Sequence, residues 1–244
     1  MTGVQTCALP IFPYVSKATG VAIPKIAVGV MLGKTIADFT DAKGVLSVPQ
    51  YFVKSPVFPF NKFPGVDPTL GPEMRSTGEV MGVGENFGEA FAKAQLSAGT
   101  PLPDKGRVFI SVNDRDKAIA VTLAKRFQEL GFEVTATRGT AEAFRAAGVP
   151  TKTVFKVNEG RPNAVDLLKA GSLDLIIYTG TSGAHAFVDE KAIRKHAVTY
   201  RVPCITTMSG ARASVEAIVS RRRDPVRVWS LQEIHGVKVA AKSS

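Results

Sequence analysis

The sequence has few of the residues on which disulfide-bonded, metal-binding and membrane proteins depend. Its two cysteines, Cys7 and Cys204, are too few for a disulfide framework, which fits a reducing cytoplasm. The three histidines, His185, His196 and His235, have no metal-ligand spacing with one another or with the cysteines. No apolar run is long enough to cross a bilayer. We therefore expect a cytoplasmic protein without a metal site or a membrane partner.

Acidic residues are also scarce relative to basic ones. Lys and Arg number 31 and Asp and Glu 21, which gives a formal net charge of +10. This balance permits binding to nucleic acid, anionic metabolites or an acidic partner. The densest basic run, Arg221 to Arg223, precedes Asp224-Pro225 and is expected to be a solvated helix end. No glycine-aromatic motif accompanies the run, so we expect no nucleic-acid partner.

With 244 residues and 45% apolar content, the protein is long enough for one large or two ordinary domains. The segment 97–104, SAGTPLPD, is typical of a linker, and we place a domain boundary there. Residues 1–12 lack the pattern of a signal peptide, and we interpret them as non-native read-through, so the true protein is expected to begin upstream and to enter this sequence near residue 12 or 13. The predicted domains are therefore 13–100 and 101–244.

The first predicted domain combines helices with short strands and a loop. A packing helix is predicted from Tyr14, with Gly33 as its stop. Prolines within 51–60 indicate edge strands. Residues 59–82 hold four prolines and four glycines, which predicts a shaped surface loop. Asn86 is then the predicted N-cap of a further helix.

The second predicted domain alternates strands with helices, which indicates an α/β fold with a parallel sheet covered by helices on both faces. Strands are predicted at 107–112, 133–137, 153–157, 173–178 and 202–205, and a final edge strand at 226–231. Helices are predicted after Asp114 or Asp116, after Thr140, and at 163–170, 189–200 and 210–222. In such a sheet, ligands bind beyond the carboxyl ends of the strands.

The residues at those strand ends are hydroxyls, glycines and cations with little carboxylate. They are the segments 113–117, 137–140, 156–161, 179–183 and 206–207. Hydroxyls and backbone amides donate hydrogen bonds to phosphate oxygens, while Lys and Arg neutralise the phosphate charge. Each Thr alone is more simply explained as a helix cap. Together these segments predict an anion site.

Two blocks of the sequence resemble one family. The loop 59–82, with the following FGEAFAKAQL helix, resembles the end of the second ATP-grasp half of the carbamoyl-phosphate synthase large subunit. Residues 101–244 resemble that subunit's regulatory domain. The resemblance implies a methylglyoxal-synthase-like parallel sheet, preceded by the tail of an ATP-grasp (α+β) domain.

The resemblance also implies what this sequence lacks. In the family, ATP and its Mg or Mn ions are held by side chains just upstream of the segment that matches 15–20, where this protein has residues 1–12. We therefore expect no catalytic residue, cofactor or metal here, and no catalysis by this C-terminal fragment alone. The intact ligase is expected to make carbamoyl phosphate from bicarbonate, glutamine-derived ammonia and ATP, for pyrimidine or arginine biosynthesis. Its implied partners are the rest of the large subunit, a glutaminase small subunit and further copies in an oligomer.

The family's regulatory domain binds nucleotide effectors such as UMP or IMP through their phosphate. By the resemblance, the effector-binding residues are Lys117, Thr137, Thr140, Lys156, Tyr178, Thr179, Thr181 and Ser182. Tyr178 stands where several members have an Asn that contacts the effector. Some members also bind ornithine through a Glu and a Tyr, whose places are taken here by Ser55 and Cys204. Without that carboxylate, we expect a weak ornithine response.

Two other functions remain open at this point. A free-standing enzyme of the methylglyoxal-synthase class would turn over a small phosphate ester and would need a catalytic Asp among the strand-end loops. A basic nucleic-acid-binding module would show affinity that falls steeply with salt.

Overall fold

The computed structural model describes residues 2–40, 48–58, 60, 78–180 and 184–236. Most of the predicted loop at 59–82 therefore lies outside the described residues. The helices are α1 (Thr2–Thr19), α2 (Ile23–Met31), α3 (Phe87–Ser97), α4 (Lys117–Glu129), α5 (Arg138–Ala146), α6 (Ala164–Lys169), α7 (Ala184–Thr199), α8 (Met208–Arg223) and α9 (Leu231–Ile234). The strands are β1 (Tyr51–Val57), β2 (Gly78–Gly84), β3 (Gly106–Ser111), β4 (Phe132–Thr137), β5 (Thr151–Val154), β6 (Leu175–Tyr178) and β7 (Cys204–Ile205).

Two helices stand where a single packing helix was predicted from Tyr14. Gly20 has a positive φ of 75° and ends α1, and α2 starts three residues later with a proline in its first turn. The predicted boundary at residue 13 falls inside α1. Several large apolar side chains on or just after α2 are exposed, among them Val28, Met31 and Leu32.

The edge-strand prediction for 51–60 is confirmed by β1, which pairs antiparallel with β2. The strand β2 was not predicted, because its glycines resemble those of a loop. Gly82 shows why they are needed: a Cβ there would clash with the backbone carbonyl of Ala90 in α3. The two-stranded sheet therefore lies directly on α3, at a distance that only glycine permits.

The helix α3 joins the two parts of the protein. Asn86 caps it as predicted, accepting a hydrogen bond from the amide of Glu89 at 2.9 Å. Its opposite side packs against α8 at Gly88, where an added Cβ would lie 2.5 Å from the carbonyl oxygen of Glu216. Ser220 in α8 also donates to the Asn86 side chain at 3.2 Å. The α3 helix thus contacts β2 on one side and α8 on the other.

The second part is the predicted α/β fold. Five parallel strands follow the order β5-β4-β3-β6-β7. Neighbouring residues of β3 point to opposite faces, because Val108 and Ile110 join a core with α4, α5 and α8 while Phe109 joins one with α6 and α7. Both faces are therefore covered by helices, as predicted.

The C-terminal segment differs from its prediction. Residues 225–230 form no strand, and α9 follows them. Trp229 lies under the ammonium of Lys93, which is 4.1 Å from the ring centroid. The basic run is the end of α8, as predicted, with Arg222 and Arg223 exposed. Arg221 donates to the Leu102 carbonyl at 2.5 Å and Arg222 to that of Leu130 at 2.6 Å. These arginines link α8 to neighbouring loops.

Across the described ranges, no helix is both long and apolar enough to span a membrane.

Candidate anion-binding cleft

The loop after β3 is shaped by Asn113. Its side chain accepts a hydrogen bond from the amide of Asp116 at 3.1 Å, so Asn113 caps the 3-10 turn at Asp114–Asp116 that leads into α4. Of the two predicted caps of α4, Asp116 stands at the N-cap position but makes no side-chain capping hydrogen bond, and Asp114 lies within the turn. The Asn113 Nδ2 also donates to the Asp116 carboxylate at 2.7 Å. This arrangement leaves Asp114 exposed at the tip of the turn.

Lys117, the first residue of α4, reaches toward the start of α5. Its Nζ lies 2.8 Å from Asp114 Oδ1, and a Cβ added to Gly139 would lie 3.4 Å from the same Nζ. The hydrogen bond from Lys117 lowers the pKa of Asp114 below its ordinary value, and the charges of Lys117 and, more weakly, Lys156 act in the same direction. An ammonium group therefore stands over the glycine in the first turn of α5.

The predicted site residues Thr137 and Thr140 flank that glycine but are buried. The Thr137 hydroxyl lies 3.0 Å from that of Ser111, and Thr140 Oγ1 accepts from the amide of Val112 at 3.4 Å. Both hydroxyls thus tie the start of α5 to the end of β3. These hydrogen bonds give Thr137 and Thr140 a structural role that does not depend on a ligand.

A cleft of about 400 Å³ opens beside the start of α5. Its lining residues are Arg138, Gly139, Phe155, Lys156 and Glu159. Lys156 was predicted as a site residue and forms an ion pair with Glu159 at 3.2 Å. Arg138 and Glu159 lie in the strand-end segments 137–140 and 156–161 that predicted an anion site, although neither was named as an effector-binding residue. Phe155, directly after β5, was in neither set.

Tyr178 and Thr179, at the end of β6, lie on the far side of this strand edge. Thr179 Oγ1 accepts from the backbone amide of Asn113 at 3.2 Å and from its side chain at 3.3 Å. Tyr178 is buried against α6 and α7, and burial, aided by the nearby Asp189 and Glu190 charges, raises its pKa to about 12. The other two predicted residues, Thr181 and Ser182, lie outside the described residues.

Cys204 and Ser55 lie in separate sheets. Ser55 is buried in β1, and Cys204 is half-buried in β7. Burial raises the pKa of the Cys204 thiol to about 12, which agrees with its interpretation as a small apolar residue instead of a nucleophile. Within the described ranges, no His, Cys, Asp and Glu cluster could hold a metal ion.

The cleft can attract an anion. Lys117, Arg138 and Lys156 surround the first turn of α5, whose backbone amides carry the positive end of the helix dipole. Asp114 and Glu159 neutralise two of these cations as long as no other anion is present. A phosphate could replace them, because its several oxygens can accept from more than one cation and from the amides together.

Comparison with protein families finds a similarity in the second part of the protein. A family model described as an MGS-like domain matches residues 120–206. The match includes α4 from residue 120 onward, α5, the predicted residues Thr137, Thr140 and Lys156, and the whole cleft lining. The predicted methylglyoxal-synthase-like fold is thereby confirmed.

Full-length comparison extends the similarity to the first part. The sequence is 54% identical over 228 residues, 91% of its length, to the carbamoyl phosphate synthase large chain of Acidobacterium capsulatum, and 49% identical over 226 residues to that of Ralstonia nicotianae. It spans 21% and 20% of those two proteins. The C-terminal section of a carbamoyl phosphate synthase large chain from Methanopyrus kandleri is 48% identical over 228 residues, with 42% of that protein covered.

Proposed function

The protein is homologous over 91% of its length to carbamoyl phosphate synthase large chains, and we propose that it is the part of such a ligase that senses a phosphorylated effector. The whole enzyme would make carbamoyl phosphate with ATP and Mg or Mn ions bound elsewhere in the large subunit. Its partners would be the rest of the large subunit and the glutaminase small subunit. Its product would supply pyrimidine or arginine synthesis.

The observation that carries this proposal is the position of Lys117. Its ammonium stands over Gly139, at the point where the backbone amides of α5 begin and where Arg138 and Lys156 line an open cleft. Three cations and a helix N-terminus at one place suit a dianionic phosphate. The carboxylates of Asp114 and Glu159 would give up their lysines when the phosphate binds.

In this arrangement the predicted threonines have two kinds of role. Thr137 and Thr140 are buried beneath the first turn of α5, where they would position the amides that donate to the phosphate. Thr179 would hold the Asn113 loop that carries Asp114 and Lys117. Thr181 and Ser182 remain proposed effector contacts on the basis of the family resemblance.

A route from the cleft to the rest of the enzyme would run through packed helices. The core between the sheet and α8 includes Ala141 and Phe144 of α5 and Val215 of α8, and α8 packs on α3 at Gly88. An effector that binds one arrangement of these helices more tightly would shift the population of enzyme states toward it. The size of the shift is set by the difference in the effector's affinity for the two states. We propose a weak ornithine response, because Ser55 offers no carboxylate for its amine.

A free-standing methylglyoxal-synthase-type enzyme fits less well. Its catalytic carboxylate would have to exchange a proton with the substrate near neutral pH. The exposed carboxylate nearest to Lys117 in the loop is that of Asp114, whose pKa the Lys117 hydrogen bond lowers. This shift is opposite to the one that a general acid or base at neutral pH requires.

The test is calorimetric titration of the 244-residue protein with UMP, IMP and ornithine. The same titrations are made on a Lys117→Gln, Lys156→Gln double variant and on a matched Lys125→Gln, Lys169→Gln control, which removes two exposed lysines outside the cleft. Substitution of Thr137 or Thr140 is a poorer test, because both are buried and their loss would disturb the fold.

We expect saturable binding of at least one nucleotide by the unmodified protein and by the control. The Lys117, Lys156 variant should lose about a hundredfold or more in affinity, since each charge-assisted hydrogen bond contributes roughly 1.5–3 kcal/mol. Equal losses in both double variants would mean that net charge, and not this cleft, attracts the nucleotide. No binding of any phosphate compound by the folded protein would refute the proposed function.

A further inference from the structure

An aromatic ring lines the cationic cleft. Phe155 follows directly after β5 and is 40% exposed, and it shares the cleft with Arg138, Lys156 and Glu159. Single exposed apolar side chains are common and need no explanation by themselves. Phe155 is unlike such single exposed residues because it lies in a cleft among charged side chains. A cleft that bound only a phosphate group would not need an aromatic ring.

The ring is held in place by the loop that follows it. The amide of Phe155 donates to the carbonyl of Pro162 at 3.0 Å. A Cβ added to Gly160 would lie 3.4 Å from ring atom Cγ and 3.6 Å from each of Cδ1 and Cδ2, so the Gly160 backbone covers one face of the ring. Because one face is covered by the protein, little conformational freedom remains to be lost when a ligand covers exposed ring surface.

We infer that Phe155 is the platform on which a planar base of the effector stacks, an assignment that rests on the proposed function. The phosphate would occupy the start of α5 near Lys117, and the base would lie against Phe155 in the same cleft. The cleft volume of about 400 Å³ is within the range of roughly 300–1,000 Å³ that is usual for small-ligand sites. Phe155 would then make the cleft prefer a nucleoside monophosphate to a phosphate ester without a base.

The stacking is tested by comparing ligands with and without the base. UMP, IMP, ribose 5-phosphate and inorganic phosphate are titrated into the 244-residue protein and into Phe155→Ala, Phe155→Trp and Ile119→Ala variants. Ile119 is an exposed apolar residue of α4 outside the cleft lining, so its variant controls for the loss of an exposed side chain. Thermal unfolding shows whether each variant is folded.

We expect the unmodified protein to bind at least one nucleotide about tenfold or more tightly than ribose 5-phosphate, since stacking of a base on an aromatic side chain has about this effect. Phe155→Ala should remove that difference, Phe155→Trp should preserve it, and Ile119→Ala should leave it unchanged. Ribose 5-phosphate should bind all four proteins alike.

Each other outcome separates the two proposals. If ribose 5-phosphate binds as tightly as both nucleotides, or if Phe155→Ala weakens all the phosphate compounds by one factor, the stacking assignment is wrong while the anion site stands. If no phosphate compound binds the unmodified protein, both proposals fail. The comparison of ligands on the unmodified protein needs no variant, so it can refute the stacking even where a substitution unfolds the protein, and Phe155→Trp then tests the assignment to this ring.

Discussion

Lys117 and Gly139 meet at the start of α5, where a Cβ on the glycine would come within 3.4 Å of the lysine ammonium. Gly139 is exposed and its φ is not positive, so a side chain there would cause little backbone strain. The glycine therefore keeps open the space between the ammonium and the first turn of the helix. In our proposal this space receives the phosphate.

Substitution of Gly139 by Val should reduce phosphate affinity without unfolding the protein. The new side chain would fill the space beneath Lys117 and block the amides of α5. Ala146→Val, at the exposed end of the same helix, is the matched control. Nucleotide titration should show at least about a tenfold loss for Gly139→Val alone. Unchanged affinity in Gly139→Val would mean that the phosphate does not bind at this turn.

The pKa of the Asp114 carboxyl should depend on Lys117. The hydrogen bond from Lys117 lowers this pKa, so the pair contributes to stability above the ordinary pKa of Asp and loses its effect as pH falls through the lowered value. Replacing Lys117 with Gln should raise the Asp114 pKa toward its ordinary value, as measured by carbon-13 NMR of the carboxyl group. Lys125→Gln should leave it in place. An Asp114 pKa that is the same in all three proteins would exclude the ion pair in solution.

Gly88→Ala should destabilise the protein at the contact between α3 and α8. The added Cβ would lie 2.5 Å from the carbonyl oxygen of Glu216, a backbone atom that can move only if a helix moves. We expect a loss of about 1–3 kcal/mol in the free energy of unfolding, measured in urea. Gly78→Ala, where a Cβ meets nothing within 4 Å, should cost far less. Equal stability of the two variants would show that α3 and α8 are not in close contact.

Trp229→Leu should loosen the C-terminal segment. The cation–π contact with Lys93 joins residues 225–236 to α3, and such a contact contributes roughly 0.5–2 kcal/mol. Hydrogen exchange at the amides of Ile234 and His235 in and after α9 should therefore become faster. Val228→Ala, which shortens a side chain that is 89% exposed, is the control and should change nothing. Identical exchange in both variants would mean that Trp229 does not hold the segment.

Cys204 should react slowly with alkylating reagents. Burial raises its thiol pKa to about 12, so very little thiolate exists at a pH of about 8. In a Cys7→Ser background, iodoacetamide should modify Cys204 at least about a hundredfold more slowly than a free thiol, as followed by mass spectrometry. Modification at the free-thiol rate would show that the thiol is accessible and ionised.

The centre of the sheet was predictable because β3 and β6 are short buried apolar runs that are followed by polar residues. Helix starts were less predictable where two candidates were close together. Asp116 and not Asp114 stands at the N-cap of α4, and the side-chain capping hydrogen bond is made one turn earlier by Asn113. The strand β2 was missed because Gly82 resembles a loop residue until the proximity of α3 is known. Arg222 likewise gives no signal in sequence that it will bind the Leu130 carbonyl.

The candidate site, like the fold, could be predicted from the sequence only in part. Hydroxyls and cations at the strand ends predicted an anion site, and Lys117 and Lys156 both lie beside the cleft at the start of α5. Whether a Thr faces a ligand or the protein depends on long-range contacts such as Thr137 to Ser111, which no local pattern reveals. Phe155 was missed because the strand was predicted at 153–157, which placed this ring inside the sheet, whereas β5 ends at Val154.

The most direct test of the account is an amide NMR spectrum of the isotopically labelled protein with and without the nucleotide that binds most tightly. We predict that the largest shifts occur at Lys117, Arg138, Gly139 and Lys156, and that they saturate with the affinity found by calorimetry. Saturating shifts that leave these four amides unmoved and appear elsewhere in the protein would contradict the assignment of the cleft as the effector site.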